Sequence, residues 1–170
     1  PCQSGASLDY DDAHAMFSIT GLRKGIFIAG SVNGRSDLTA VRQDGQLAAW
    51  SASQYLKMEA GEQPVVPALI DSEYVNHLWP IFAHSDGKEF VDFDEDLVIS
   101  DIYSAVDDGY EHIQLTKRYT TVGMGPSQGR HSALAVARLV AKATSKTVAE
   151  IGVSTARPPF APEKLGVLAG

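Results

Sequence analysis

The run Gly25-Ile26-Phe27-Ile28-Ala29-Gly30 constrains this chain more than any other stretch. A short apolar segment of β-branched and aromatic residues between glycines reads as a buried parallel strand. Ser31 to Ser36 then supplies turn residues and an N-cap. Leu38, Val41, Leu47, Ala48, Ala52, Tyr55 and Leu56 carry helical spacing from Asp37 to about Lys57, with Gly45 inside. Strand, glycine turn and helix make half of a βαβ unit. Such a half cannot stand alone, because a parallel strand needs neighbours and cover on both faces. A solitary copy of this piece is expected to aggregate or to need the rest of a larger subunit. The opening Pro1-Cys2-Gln3-Ser4-Gly5 fits that expectation, since it reads as mid-loop sequence at a cut or trimmed end.

Beyond the helix, Glu59 to Pro67 is rich in Gly, Glu and Pro and begins a connector. A second unit follows. Phe82 to Val98 holds short alternating stretches such as Phe90-Val91-Asp92-Phe93, and Ser100 can cap a helix running to about Asp107, stopped by Gly109. Glu111 to Tyr119 forms another short helix. Gly123 to Gly129 is a tight loop, and Gly129 or Arg130 opens a helix to about Ala143 whose stripe of Leu134, Val136, Leu139 and Val140 is spaced for burial. Ser145 or Thr147 caps a last turn through Ile151. Thr155 to Pro162 is extended, because residues before proline avoid the helical region. The expected fold class is therefore an α/β segment over 1–58, a connector over 59–81, a small, mostly α module over 82–152 and an extended linker over 153–170.

Composition narrows the function classes. The 170 residues are 44% hydrophobic, enough for one domain or two small ones. A formal charge of -7 with no long Lys/Arg block speaks against a nucleic-acid or anionic-membrane surface. No apolar run approaches the roughly 18 residues a membrane helix needs, and no secretory signal layout opens the chain. A single cysteine, Cys2, rules out a disulfide framework or a multi-thiolate metal site within this chain, and a reducing, cytoplasmic setting fits best.

Two constellations can carry chemistry. In the first, Gly30, Ser31, Asn33 and Gly34 follow the apolar run and Asp37 opens the helix. Bare backbone N–H groups at such a turn hold a pyrophosphate or a flavin edge, although any α/β domain can carry a glycine turn of this spacing. In the second, Lys117, Arg118, Thr121, Gln128 and Arg130 flank the glycine loop, where cations and hydroxyls suit a phosphate. The alternative there is an ordinary helix-loop-helix with a solvated basic face.

The residues also carry a resemblance. Ile26 to Gly34, followed by Asp37-Leu38 and Gly45-x-x-Ala48-Ala49, resembles the last strand and helix of two-dinucleotide-domain flavoproteins. Ser31 stands where an acidic residue is usual, which leaves room for a nicotinamide dinucleotide. Lys117 to Ser132 resembles the small iron–sulfur domain of the bacterioferritin-associated-ferredoxin type, with Asp92, Asp94, Ser127 and Ser132 at its four cysteine positions. Without thiolates no iron–sulfur cluster is expected. The pairing of these two segments, ahead of Arg157-Pro158-Pro159-Phe160-Ala161-Pro162, is similar to the α subunit of heterotetrameric sarcosine oxidase.

That resemblance implies a division of labour. The α subunit would bind NAD and continue into a folate-binding domain that takes tetrahydrofolate. A β subunit would hold FAD, with an FMN covalently attached to it at the interface, and small γ and δ subunits would complete the complex. On this reading Lys117, Arg118, Thr121, Gln128 and Arg130 face the FMN, the substrate is a small N-methylated amine, and no catalytic residue lies in this chain. The rivals are an opine, proline or N-methylglutamate dehydrogenase α subunit, and a cofactor-free docking module.

Other residues point to less. His14, His77, His84, His112 and His131 show no ligand spacing, so no metal is expected. Asp92 to Asp96 lacks the glycine and distal glutamate of a calcium loop. Cys2 reads as incidental, and Trp50 and Trp79 as packing residues.

Overall fold

The computed structural model describes residues 4–67, 84, 86–156 and 164–169. The chain divides into two compact units, 1–76 and 77–170, a division that falls within the span read as a connector. The expectations for Cys2, His77, Trp79 and the Arg157 to Pro162 segment lie outside the described residues.

The first unit opens on a hairpin absent from the expectations above. Strands β1 (Ser7–Asp11) and β2 (Met16–Gly21) pair antiparallel, with Tyr10 opposite Phe17 and their rings 4.9 Å apart. The Asp11 carboxylate accepts from the backbone of Ala13 and His14 and bonds His14 Nδ1 at 2.6 Å, which closes the turn. The signal lay in the polar and apolar alternation of both strands.

The parallel strand expected at Gly25 to Gly30 is not formed. The two sheets among the described residues are two-stranded hairpins, and neither pairs with this segment. A strand is a pairing, so an apolar run with no neighbour stays irregular whatever its propensity. It ends instead in a 3-10 turn, Gly30–Asn33, closed by Gly34 in the left-handed region. Helix α1 (Leu38–Tyr55) follows, and its cap is Asp37, whose side chain accepts from Ala40 N, and not a residue of Ser31 to Ser36. Trp50 Nε1 donates to Gly61 O at 3.1 Å and ties the start of the connector back to the helix.

The second unit holds the core. Strands β3 (Phe90–Asp92) and β4 (Leu97–Val98) form a short hairpin and lead directly into α2 (Ile99–Asp107). Ser100 does not cap α2; Val98 occupies the cap position and its N–H donates to the Asp101 carboxylate at 2.8 Å. Helix α3 (Ile113–Thr120) starts at His112, and α4 (Ala133–Thr144) starts after Ser132, later than Gly129 or Arg130, because residues 121–132 close turns of their own first. Thr147 caps α5 (Val148–Ile151) with Glu150 reaching back, a reciprocal capping box. The span 153–170 is not extended throughout, because Leu165–Leu168 turn into a short helix, α6, closed by backbone bonds to Lys164 O and Leu165 O. Ile99, Ile102 and Val106 of α2 pack with Ile113, Val136, Leu139 and Val140 from α3 and α4. Leu134, expected in the stripe, is only half-buried.

Candidate functional site

Among the described residues of the second unit, a polar cluster joins the end of β3 to the glycine loop ahead of α4. Asp92 is wholly buried. Its Oδ2 accepts from Gly123 N at 2.7 Å and from Ser132 Oγ at 3.1 Å, and its Oδ1 accepts from Asp94 N at 3.0 Å. Asp94 Oδ2 accepts from Ser127 N at 2.7 Å. Hydrogen bonding from Ser127 holds the Asp94 carboxyl below its ordinary value of 3.8. Residues far apart in sequence, Asp92 and Asp94 against Ser127 and Ser132, are thus stapled side chain to loop. Gly125 is required by the staple, since a Cβ there would lie 2.3 Å from Asp94 Cβ.

His131 completes the cluster, and sequence spacing did not find it. Its Nε2 stands 3.7 Å from Asp92 Oδ1, and its ring lies against Phe93, which is 74% exposed. Ligand atoms of Asp92, Asp94 and His131 lie within 4.8 Å of one another. The available signal was the position of His131 between Arg130 and Ser132, inside the very motif that resembles a metal-cluster loop.

The residues expected to meet a phosphate or flavin at this loop divide into two groups. Lys117 is 7% exposed and its Nζ donates to Thr155 O at 3.0 Å, while Gln114 Nε2 donates to Thr155 Oγ1 at 3.2 Å. Gln128 has a left-handed backbone and folds its amide onto the carbonyls of Met124 and Gly125, at 2.9 and 3.0 Å. Lys117 thus braces the fold from within, and half-buried Gln128 closes its own turn. Arg118, Thr121 and Arg130 are exposed, and Thr121 Oγ1 donates to Glu95 Oε2 at 3.1 Å. A cavity of about 10 Å³ lies among Lys117, Gly123, Gly129, Ser132 and Ser154, room for about one water. A ligand the size of a flavin can reach this loop only from outside.

In the first unit, Gly30 N–H donates to Asp44 Oδ2 at 2.7 Å and Asn33 Nδ2 donates to the same oxygen at 2.8 Å. Asp44, buried on α1, is thus the acceptor that organises the glycine turn. Asn33 also reaches Ile28 O, Gly34 closes the turn, Asp37 caps α1 and Ser31 is exposed. Beside this stretch, an open concavity of about 590 Å³ is lined by Arg23, Lys24, Phe27, Ser51 and Tyr55. No helix among the described residues is long and apolar enough to cross a membrane.

Comparison with known proteins adds the following. The family described as the sarcosine oxidase A3 domain matches residues 86–170, half of the chain. The alpha subunit of sarcosine oxidase from Rhizobium meliloti (strain 1021) is 35% identical over 99% of this chain and 17% of its own length. That of Corynebacterium sp. (strain P-1) is 33% identical over 69% of this chain and 12% of its own length. An opine oxidase subunit of Rhizobium meliloti (strain 1021) is 27% identical over 97% of this chain and 37% of its own length. Among solved structures, L-proline dehydrogenase from P. horikoshii matches 99% of this chain and 36% of that chain with a TM-score of 0.71 at 23% identity, a likeness of fold. The chain spans only a minor part of each of these relatives.

Proposed function

The chain belongs to the sarcosine oxidase alpha-subunit family, and from that premise we propose that it works as part of the alpha subunit of a multi-subunit oxidoreductase that demethylates sarcosine or a related N-methylated amino acid. Its contribution is to bind and position, with the reacting amine held by a partner subunit that carries FAD. An FMN at the subunit interface would relay electrons when bound.

The observation that carries this reading is the staple of Asp92 and Asp94 onto Gly123, Ser127 and Ser132. It keeps the glycine loop of a cysteine-less ferredoxin-like module rigid without a cluster. The loop can then offer a fixed outer surface, with Arg118, Thr121 and Arg130 toward the FMN phosphate, Lys117 bracing it from inside and Gln128 closing its own turn. For the NAD of this subunit, the glycine turn from Gly30 to Asp37 supplies the candidate contacts. Gly30 N–H as folded is held by Asp44, so a pyrophosphate would be met by the exposed Ser31 and by the cations Arg23 and Lys24 beside Phe27 and Tyr55.

The test is reconstitution of the full complex with an Arg118→Ser, Arg130→Ser double substitution. Losing two charge-assisted contacts is expected to lower incorporation of the covalently attached FMN during reconstitution by about tenfold or more, together with sarcosine-dependent oxygen uptake. Full flavin content and full turnover would sink the flavin-facing assignment. The internal engagement of Lys117 and Gln128 favours a second reading, a cofactor-free docking module; weaker assembly at unchanged flavin content would select it. The opine oxidase relative makes opines the rival substrate class, which a substrate panel on the same complex separates.

A further inference from the structure

We propose that Asp92, Asp94 and His131 form a binding site for one divalent transition-metal ion, with zinc as the probe of choice. Asp92 is an anchor already in place, fully buried and pinned by three donors, two on Oδ2 and one on Oδ1. Asp94 accepts from Ser127 on Oδ2, which leaves Oδ1 for a cation. A tetrahedral ion with ligands at about 2.0–2.1 Å spaces its ligand atoms by roughly 3.4 Å. Asp92 Oδ1 and His131 Nε2 stand at 3.7 Å, and the whole trio falls within 4.8 Å, so closure of up to about 1.4 Å brings the three to tetrahedral spacing. Asp94 and His131 are both exposed, and the closure falls on these two side chains while Asp92 stays in place.

A separate observation calls for a cation here. A carboxylate removed from water is normally balanced by a positive partner. Among the described residues no lysine or arginine comes within 4.0 Å of Asp92, and His131 is the single basic side chain that does. One imidazole nitrogen with two carboxylates selects a borderline ion over calcium or magnesium, and three protein ligands leave the remaining position to water. The site shares Asp92 and Asp94 with the staple behind the flavin-facing reading, but zinc content reads it without reference to flavin.

The experiment uses the full-length subunit in its assembled complex, stripped with chelator, dialysed against zinc chloride alone and assayed for zinc per chain by mass spectrometry. The native protein is expected to hold one zinc more per chain than either His131→Ala or Asp94→Asn, each weakening that zinc by more than tenfold. His131→Ala should melt with the native protein when both are metal-free, and only the native protein should gain thermal stability from zinc. Equal zinc content in native and His131→Ala complexes would overturn the site. Flavin content, measured on the same samples, reports separately on the functional reading.

Discussion

The two units of this chain differ in what they bury. In the second, an aliphatic cluster from Val91 to Ala141 is closed to solvent. In the first, the buried residues among those described are Gly30 and Asp44, a backbone and a carboxylate, while Leu38, Leu56, Met58 and Val65 stand exposed. Helix α1 is the longest helix among the described residues and buries no apolar side chain completely. Helix length and core formation are therefore separate matters. A helix gains stability mainly from the face it packs, and α2 and α4 meet one another across matched stripes where α1 has no comparable partner among the described residues of its unit.

Hydrogen-exchange mass spectrometry on the full-length subunit can break this contrast. Leu139→Ala, at a site 1% exposed, is expected to cost about 2–5 kcal/mol and to speed exchange throughout α2, α3 and α4. Leu38→Ala, at a site 81% exposed, should change stability by no more than about 0.5 kcal/mol. Similar costs at both positions would mean that the first unit has a core after all.

A smaller effect tests the staple within the second unit. Asp92→Asn preserves shape but turns one acceptor into a donor, facing Asp94 N–H on one side or Gly123 N–H and Ser132 on the other. At least one buried donor then goes unsatisfied, at about 1–3 kcal/mol. Thermal unfolding of metal-free protein measures it, and an unchanged midpoint would reduce the staple to a coincidence of packing.

The smallest effect is electrostatic and compares the units directly. In the first, the His14 side chain, followed by its backbone N–H, holds Asp11 below its ordinary 3.8. In the second, the backbone N–H and then the hydroxyl of Thr147 hold Glu150 below 4.5. A carboxyl whose pKa falls on folding contributes stability above its unfolded value and loses it as pH drops through the lower folded value. Stability should thus decline below about pH 4.5, and Glu150→Gln should flatten that decline for α5 alone. Exchange rates of α5 that keep their full acid dependence in this variant would show that the cap is electrostatically silent.

Much of the second unit was legible in the chain. Helices α2 to α5 were located to within a few residues, since apolar period, Gly109 and Thr147 are local signals that need no tertiary context, whereas α6 falls in a span read as extended. The caps were less legible: Ser100 has the right chemistry, yet Asp101 reaches the Val98 N–H from inside the helix. The hairpin of residues 7–21 went unread although its alternation was visible. His131 escaped because ligand spacing was sought along the sequence, while its partners lie about forty positions away.

The sequence by itself determined the period of the helices, the glycine turns and the absence of thiolates at the loop, all of which depend on residue type and near neighbours. Only the tertiary structure decided that Gly25 to Gly30 would not be a strand, that Lys117 would turn inward, and that Asp92 would be buried beside Ser132 and His131. Those outcomes rest on pairing and burial. A strand exists only through its neighbour's N–H and C=O groups, and a carboxylate is stable out of water only where distant donors converge on it.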